Sequence, residues 1–351
     1  MGKKHHDIRV LMHRAFVVFL TVFLISEVGA VYASRNLEII AQQTESSQAD
    51  VMRAEAEKLT LEAVKLLNQG TPESLIKARE KFQAALILWE KLWDKSGQGI
   101  TLLGIGRIYS DLGEKQKALS FYKQALPLLR AVGIRLTEAI TLNNIGQVYS
   151  DLGEPQKALS FYNQALPLLR AVSNRRTEAT TLNNVGAVYS DLGEKQKALS
   201  YYNQALLLHR AVGNKGGEAT TLNNIGHVYS ALGEKQKALS CYNQTLPLLR
   251  AVGNRRGEAS TLNNIGHVYS ALGEKQKALS YYNQALPLHR AVGNKGGEAT
   301  TLVNIGTVYS DLGEKQKALS FFKQALLLIV QWVIRVGKLQ HLIILVQSTR
   351  I

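Results

Sequence analysis

Residues 219–254 read ATTLNNIGHVYSALGEKQKALSCYNQTLPLLRAVGN, and this stretch decides the fold. Leu222, Ile225, Val228, Tyr229 and Leu232 recur at the three- and four-residue spacing of an amphipathic helix. Gly233 stops that helix, because glycine accepts the left-handed conformation after a helix end at little cost. Ala238, Leu239, Tyr242, Leu246 and Leu249 mark a second helix, and Gly253–Asn254 close it. The stretch is therefore a helical hairpin.

The hairpin recurs every forty residues. ALGEKQKALS stands at 231–240 and 271–280, DLGEKQKALS at 111–120, 191–200 and 311–320, and DLGEPQKALS at 151–160. Six units begin near 99, 139, 179, 219, 259 and 299 and fill residues 99–328. A degraded unit occupies residues 51–98, where Ala78, Phe82 and Ala85 keep the phase; terminal repeats are commonly atypical because one face meets water. Pro155 suits a first helical turn. Pro127, Pro167, Pro247 and Pro287 fall late in second helices and predict kinks, although Leu207 and Leu327 stand at the same place in other units. No single unit buries enough apolar surface to fold alone, so stability must come from stacking.

Gly226 and Ala238, with Leu222, Tyr229 and Tyr242 at their spacing, resemble the tetratricopeptide signature. The small residues would let two helices approach, and the aromatic rings fill the space beside them. The usual unit of that family has 34 residues, about six fewer than here. The longer second helix and loop resemble the repeats of kinesin light chains and of LGN/Pins scaffolds. They look closest to the arrays that precede the caspase-like CHAT protease domain in bacterial, especially cyanobacterial, proteins. The resemblance covers about residues 52–328. It implies an all-α fold, a right-handed superhelical solenoid of antiparallel helix pairs whose first helices line a concave groove. No caspase-like His/Cys pair follows the repeats, so protease activity does not carry over.

That implied geometry turns the second, fifth, sixth and ninth positions of each unit towards a guest. The fifth and sixth are Asn143/Asn144, Asn183/Asn184, Asn223/Asn224 and Asn263/Asn264; Asn304 keeps the sixth beside Val303, and the unit from 99 has Leu103 and Gly104. A side-chain amide both donates and accepts, so a ladder of them suits an extended peptide backbone, and it equally suits stitching of neighbouring helices. The ninth position carries Arg107, Gln147, Ala187, His227, His267 and Thr307. Scatter there, among near-identical units, reads as ligand selection or as drift at a tolerant exposed site. His227 and His267 have no acidic or thiol partner in phase, so no metal site is expected. No phosphate loop, nucleophile elbow or zinc-protease helix motif occurs. Glu114, Glu154, Glu194, Glu234, Glu274 and Glu314 occupy the turns between helices and read as solvated or capping groups. No cofactor and no enzymatic activity are expected.

The 351 residues carry a formal charge of +15, spread along the repeats rather than gathered into a stripe. A diffuse basic surface favours acidic peptides or anionic surfaces, or simply reflects solvated outer faces. Nucleic-acid binding is not expected without a basic stripe and a known module. The one cysteine excludes an intrachain disulfide; Cys241 replaces the Phe121, Phe161, Tyr201, Tyr281 and Phe321 of other units and reads as a small apolar filler.

At the N-terminus Lys3, Lys4, Arg9 and Arg14 precede the apolar run Ala15–Ile25 and the small residues Gly29–Ala33. That order makes residues 1–33 a secretory signal peptide, cut after Ala33 or Ala30, or an uncleaved anchor; both put the array outside the cytoplasm. Residues 34–50 read as a polar linker. After Leu328 the period fails. Allowed codons for the tail 329–351, read with one nucleotide restored at its start, spell HRAVGDPGGEATTLNNIGTVYSDL, the next repeat, so the tail is read as a frameshift product. Taken literally, it is an apolar, weakly basic helix suited to a membrane surface or to the last repeat.

The function that follows is a scaffold binding a protein or extended peptide, one with acidic character favoured by the charge. The competing readings are the regulatory remnant of a CHAT-type protease and a membrane-surface protein held by the N-terminal segment or the C-terminal tail.

Overall fold

The computed structural model describes residues 48–348, with side chains to residue 331. The expected export segment and residues 34–47 of the expected linker lie outside these; the linker's last three residues already belong to the first helix. Fourteen helices and no strand are present among the described residues. In order they are α1 (Gln48–Gln69), α2 (Pro72–Lys91), α3 (Lys95–Asp111), α4 (Lys115–Ala131), α5 (Arg135–Asp151), α6 (Pro155–Ala171), α7 (Arg175–Asp191), α8 (Lys195–Ala211), α9 (Lys215–Ala231), α10 (Lys235–Ala251), α11 (Arg255–Ala271), α12 (Lys275–Ala291), α13 (Lys295–Asp311) and α14 (Lys315–Ser348). The chain forms two units, one ending at Val188 and one starting at Tyr189, both built of stacked helical hairpins.

Each first helix starts four residues before the expected unit boundary, so the basic and glycine residues before Ala219 or Ala259 form a helical turn rather than a loop. The turn between hairpin arms is a left-handed cap. Gly113 has φ +79°. Its N–H donates to Ser110 O at 3.0 Å, and the Glu114 N–H donates to Tyr109 O at 2.8 Å, the two bonds of a Schellman motif. Ser173 takes the same conformation at φ +55° without being glycine. Helices α4, α6, α10 and α12 keep the same bounds around their prolines as α8 does around Leu207, so proline does not shorten them.

Within a hairpin the arms meet through a glycine and a tyrosine. A Cβ on Gly226 would lie 2.7 Å from Tyr242 Cε1, so only glycine allows that ring its place. The outer side of the same ring faces the next hairpin: Ala238, Leu239, Tyr242 and Leu246 pack with Leu262, Ile265 and Val268. In the first unit the degraded repeat keeps this logic with different atoms. Phe82 lies over Gly104, and Trp89 packs with Ala56 and Ala85 while its Nε1–H donates to Thr60 Oγ1 at 3.2 Å.

Candidate functional site

The fifth and sixth positions lie between the buried Leu222 and Ile225 and their equivalents; Asn143 is buried, Val303 is exposed, and the other asparagines at these positions are half-buried. Their amides bond from repeat to repeat. In the first unit Asn143 Oδ1 accepts from Thr181 Oγ1 at 3.0 Å and from Asn184 Nδ2 at 3.3 Å. Asn143 Nδ2 reaches Asn144 Oδ1 at 3.5 Å. In the second unit Asn223 Oδ1 accepts from Thr261 Oγ1 at 3.4 Å and Asn264 Nδ2 at 3.2 Å. Asn263 Oδ1 accepts from Thr301 Oγ1 at 3.2 Å and Asn304 Nδ2 at 3.1 Å. Asn183 and Asn224 hold the same positions on α7 and α9.

The ladder therefore stitches. Each bonded fifth-position carbonyl is engaged by the following repeat. The NH2 groups of Asn223 and Asn263 and the carbonyl oxygens of Asn264 and Asn304 are not used by these bonds and remain suited to a guest. The third-position threonine, which the sequence reading did not single out, is the second donor to each carbonyl. Its recurrence directly before Leu-Asn-Asn was the available signal. The ladder has no rung at the first full unit, where Leu103 is buried and Gly104 sits under Phe82, and Val303 replaces its last fifth-position amide.

The ninth position divides. Arg107 Nε lies 3.7 Å from Asp111, and Gln147 Nε2 donates to Asp151 Oδ1 at 2.8 Å. Ala187 is half-buried, while His227, His267 and Thr307 are exposed, the last with its hydroxyl donating to Val303 O at 3.0 Å. The second position departs from expectation in two repeats: Ile100 and Ile140 are buried, whereas Thr180, Thr220, Ser260 and Thr300 are exposed and bond back to their own helices.

Among the described residues no group of three or more His, Cys, Asp or Glu side chains is placed to hold a metal ion, and no helix is long and apolar enough to cross a membrane. Cys241 is buried, and burial pushes its thiol above the ordinary range, as suits packing rather than nucleophilic attack. Glu114, Glu154, Glu194, Glu234 and Glu274 make no side-chain cap bond; Glu114 pairs with Lys117, whose ammonium also lies 5.3 Å from the Tyr109 ring centre. Burial likewise pushes the Tyr282 phenol up to about 12, the mark of a core ring.

A family model described as tetratricopeptide repeat matches residues 73–131, 177–251 and 252–326, and a second of the same description matches 139–168. No curated protein matches the sequence. Among solved structures, the apo quorum sensor NprR from B. thuringiensis is 15% identical with a TM-score of 0.60, over 92% of this chain and 99% of that one. The Rap conjugation gene regulator of plasmid pLS20, solved with the Phr* peptide, is 15% identical with a TM-score of 0.59, over 83% and 81%. A STAND protein from Pyrococcus horikoshii with a tetratricopeptide repeat sensor is 18% identical with a TM-score of 0.60, over 82% of this chain and 42% of that one.

Proposed function

Because this chain belongs to the tetratricopeptide repeat family, we propose that it is a scaffold that binds an extended peptide segment of a protein along the first helices of its repeats. The carrying observation is the asparagine ladder. It ties successive first helices together, and its bonds do not use the NH2 groups of Asn223 and Asn263, which stand one helical turn before His227 and His267. An extended backbone presents carbonyl and N–H groups that such amides match without regard to side chains. The exposed ninth positions then supply selection. The peptide-bound structure of the pLS20 regulator supports the reading through a shared fold only.

On the same reading the N-terminal segment exports the array, which a reporter fused after residue 50 would reveal. The binding test is a displayed library of extended peptides, selected on the whole chain. Changing Gln147, His227 and His267 to alanine should cut capture of the selected peptides about tenfold or more, a loss of roughly 1.4 kcal/mol, with helicity and melting unchanged. Equal capture by that variant refutes the reading, because these side chains lie outside the ladder.

A further inference from the structure

One turn beyond the ninth position, four first helices carry an aspartate and two do not. Asp111, Asp151, Asp191 and Asp311 are replaced by Ala231 and Ala271 in α9 and α11. The aspartate has a defined role where its surroundings are described. Asp151 Oδ2 receives Lys115 Nζ from the preceding repeat at 2.5 Å, and its other oxygen receives Gln147 Nε2 at 2.8 Å. Asp311 receives Lys275 Nζ at 2.5 Å. Asp151 and Asp311 are thus each held by a lysine of the repeat before, and Asp151 also by the ninth-position side chain of its own helix; Asp111 pairs with its own ninth-position Arg107, and Pro155 takes the lysine's place before Asp191.

In the second unit the lysines remain where the acid is gone. Lys195 precedes Ala231, and Lys235 precedes Ala271, by the same thirty-six residues that separate Lys115 from Asp151. Lys195 Nζ rests on Ser190 O at 2.7 Å, and Lys275, which does reach an aspartate, rests on Ser270 O at 3.3 Å. The two ammonium groups share a pose, and only one has its acid. The ninth-position neighbours are His227 and His267, both exposed. Two adjacent repeats therefore carry a lysine and a histidine at the positions that flank the aspartate elsewhere, and these are the only two histidines at the ninth position.

We propose that Lys195 with His227 and Lys235 with His267 form a paired receptor for an acidic extended peptide, whose carboxylates stand where Ala231 and Ala271 leave the aspartates out. The proposal rests on the peptide-binding reading above and names the chemistry of its ligand. First helices of successive repeats touch, so their axes lie about 8–10 Å apart. An extended chain advances about 3.3–3.6 Å per residue, which sets the two acidic side chains about three residues apart. The ligand is then a segment with Asp or Glu at positions i and i+3. Each ammonium can give its remaining N–H bonds to the incoming carboxylate.

The structure also supplies the variant that closes the receptor. Ala231→Asp with Ala271→Asp installs the residue other repeats use, beside lysines already in place, so the fold is kept. The measurement is fluorescence anisotropy on the full chain with a labelled twelve-residue peptide carrying two aspartates three residues apart, and with its Asp→Asn counterpart. The proposal expects the acidic peptide to bind about tenfold or more tighter than the neutral one. It also expects the double variant to lose that preference while melting no lower than the native chain, and added salt to weaken the acidic peptide selectively. An undiminished preference in the double variant, or equal binding of the two peptides by the native chain, overturns it. So does binding of inorganic phosphate or anionic vesicles at the same residues as tightly as the acidic peptide. Changing Gln147, His227 and His267 to alanine separates the two ideas. Capture of the library-selected peptides that falls in this variant, together with an acidic preference that survives the new aspartates, keeps the groove and removes the receptor. An acidic preference abolished by the new aspartates, together with unchanged capture of the library-selected peptides in this variant, keeps the receptor and removes the groove.

Discussion

Helices α12 and α14 are near-copies that live in different surroundings. Leu279, Tyr282 and Leu286 on α12 are 7%, 1% and 8% exposed, because α13 lies over them. Their counterparts on α14, Leu319, Phe322 and Leu326, are 47%, 37% and 62% exposed. The residues on α14 are no less apolar. Burial in this fold is therefore conferred by the neighbouring hairpin rather than by the helix that carries the side chain.

The largest effect expected from this contrast is at the ring. Tyr282→Ala should cost about 3–5 kcal/mol in urea unfolding, as for a fully enclosed aromatic, and Phe322→Ala less than half of that. Equal losses would mean that α14 is covered in solution. A subtler version adds a methyl instead of removing a ring. A Cβ at Gly266 would lie 2.6 Å from Tyr282 Cε1, and one at Gly306 2.7 Å from Phe322 Cε1. Overpacking costs about 1–3 kcal/mol where nothing can yield. Gly266→Ala should show that loss, and Gly306→Ala a smaller one, since Phe322 has open space on its outer side. Thermal melts of the two variants make the comparison directly.

The smallest effect concerns pH. His289 on α12 is buried, whereas its counterpart Ile329 on α14 is exposed. Asn294 Oδ1 accepts from the Gly297 N–H at 3.1 Å, which turns the amide NH2 towards His289 Nδ1, also at 3.1 Å. The imidazole is thereby held as an acceptor, in its neutral form. Burial, and then Arg256 across on α11, push its pKa below 6.5, while Glu298 on α13 opposes. Below 6.5 the unfolded chain takes up a proton that the folded chain resists. The stability tied to this group is thus complete above about pH 6.5 and is lost as the pH falls through the lower folded value. His289→Leu, which installs the residue found at Leu249, should flatten the fall in melting temperature between about pH 7 and pH 5. An unchanged slope would show that this junction does not titrate.

The repeat, the hairpin and the glycine stops were legible in the sequence, because periodicity and left-handed caps are local properties. The starts of the first helices were not. The period places the unit's start near 219, yet Gly216 and Gly217 already lie in the first turn of α9, where a Cβ on Gly217 would meet His209 Cε1 at 2.4 Å. That glycine is required by a side chain eight residues earlier, a tertiary fact with no local mark. The candidate site was half legible. Asn143, Asn223 and Asn263 were recognised as amides of a ladder, but which atom faces which repeat depends on the register between hairpins. The threonines that complete the ladder look, in sequence, like ordinary helix residues. The exchange of aspartate for alanine at 231 and 271 was plain to see and had no meaning until Lys115 was found against Asp151.

The seams between hairpins are chemically interchangeable: Asn223 meets Thr261 and Asn264 as Asn263 meets Thr301 and Asn304, and Arg250 meets Glu258 as Arg290 meets Glu298. A gene encoding such a protein can gain or lose one whole period by unequal crossing-over, and the new junction is born already fitted. Length becomes a heritable variable that selection can adjust without first repairing an interface.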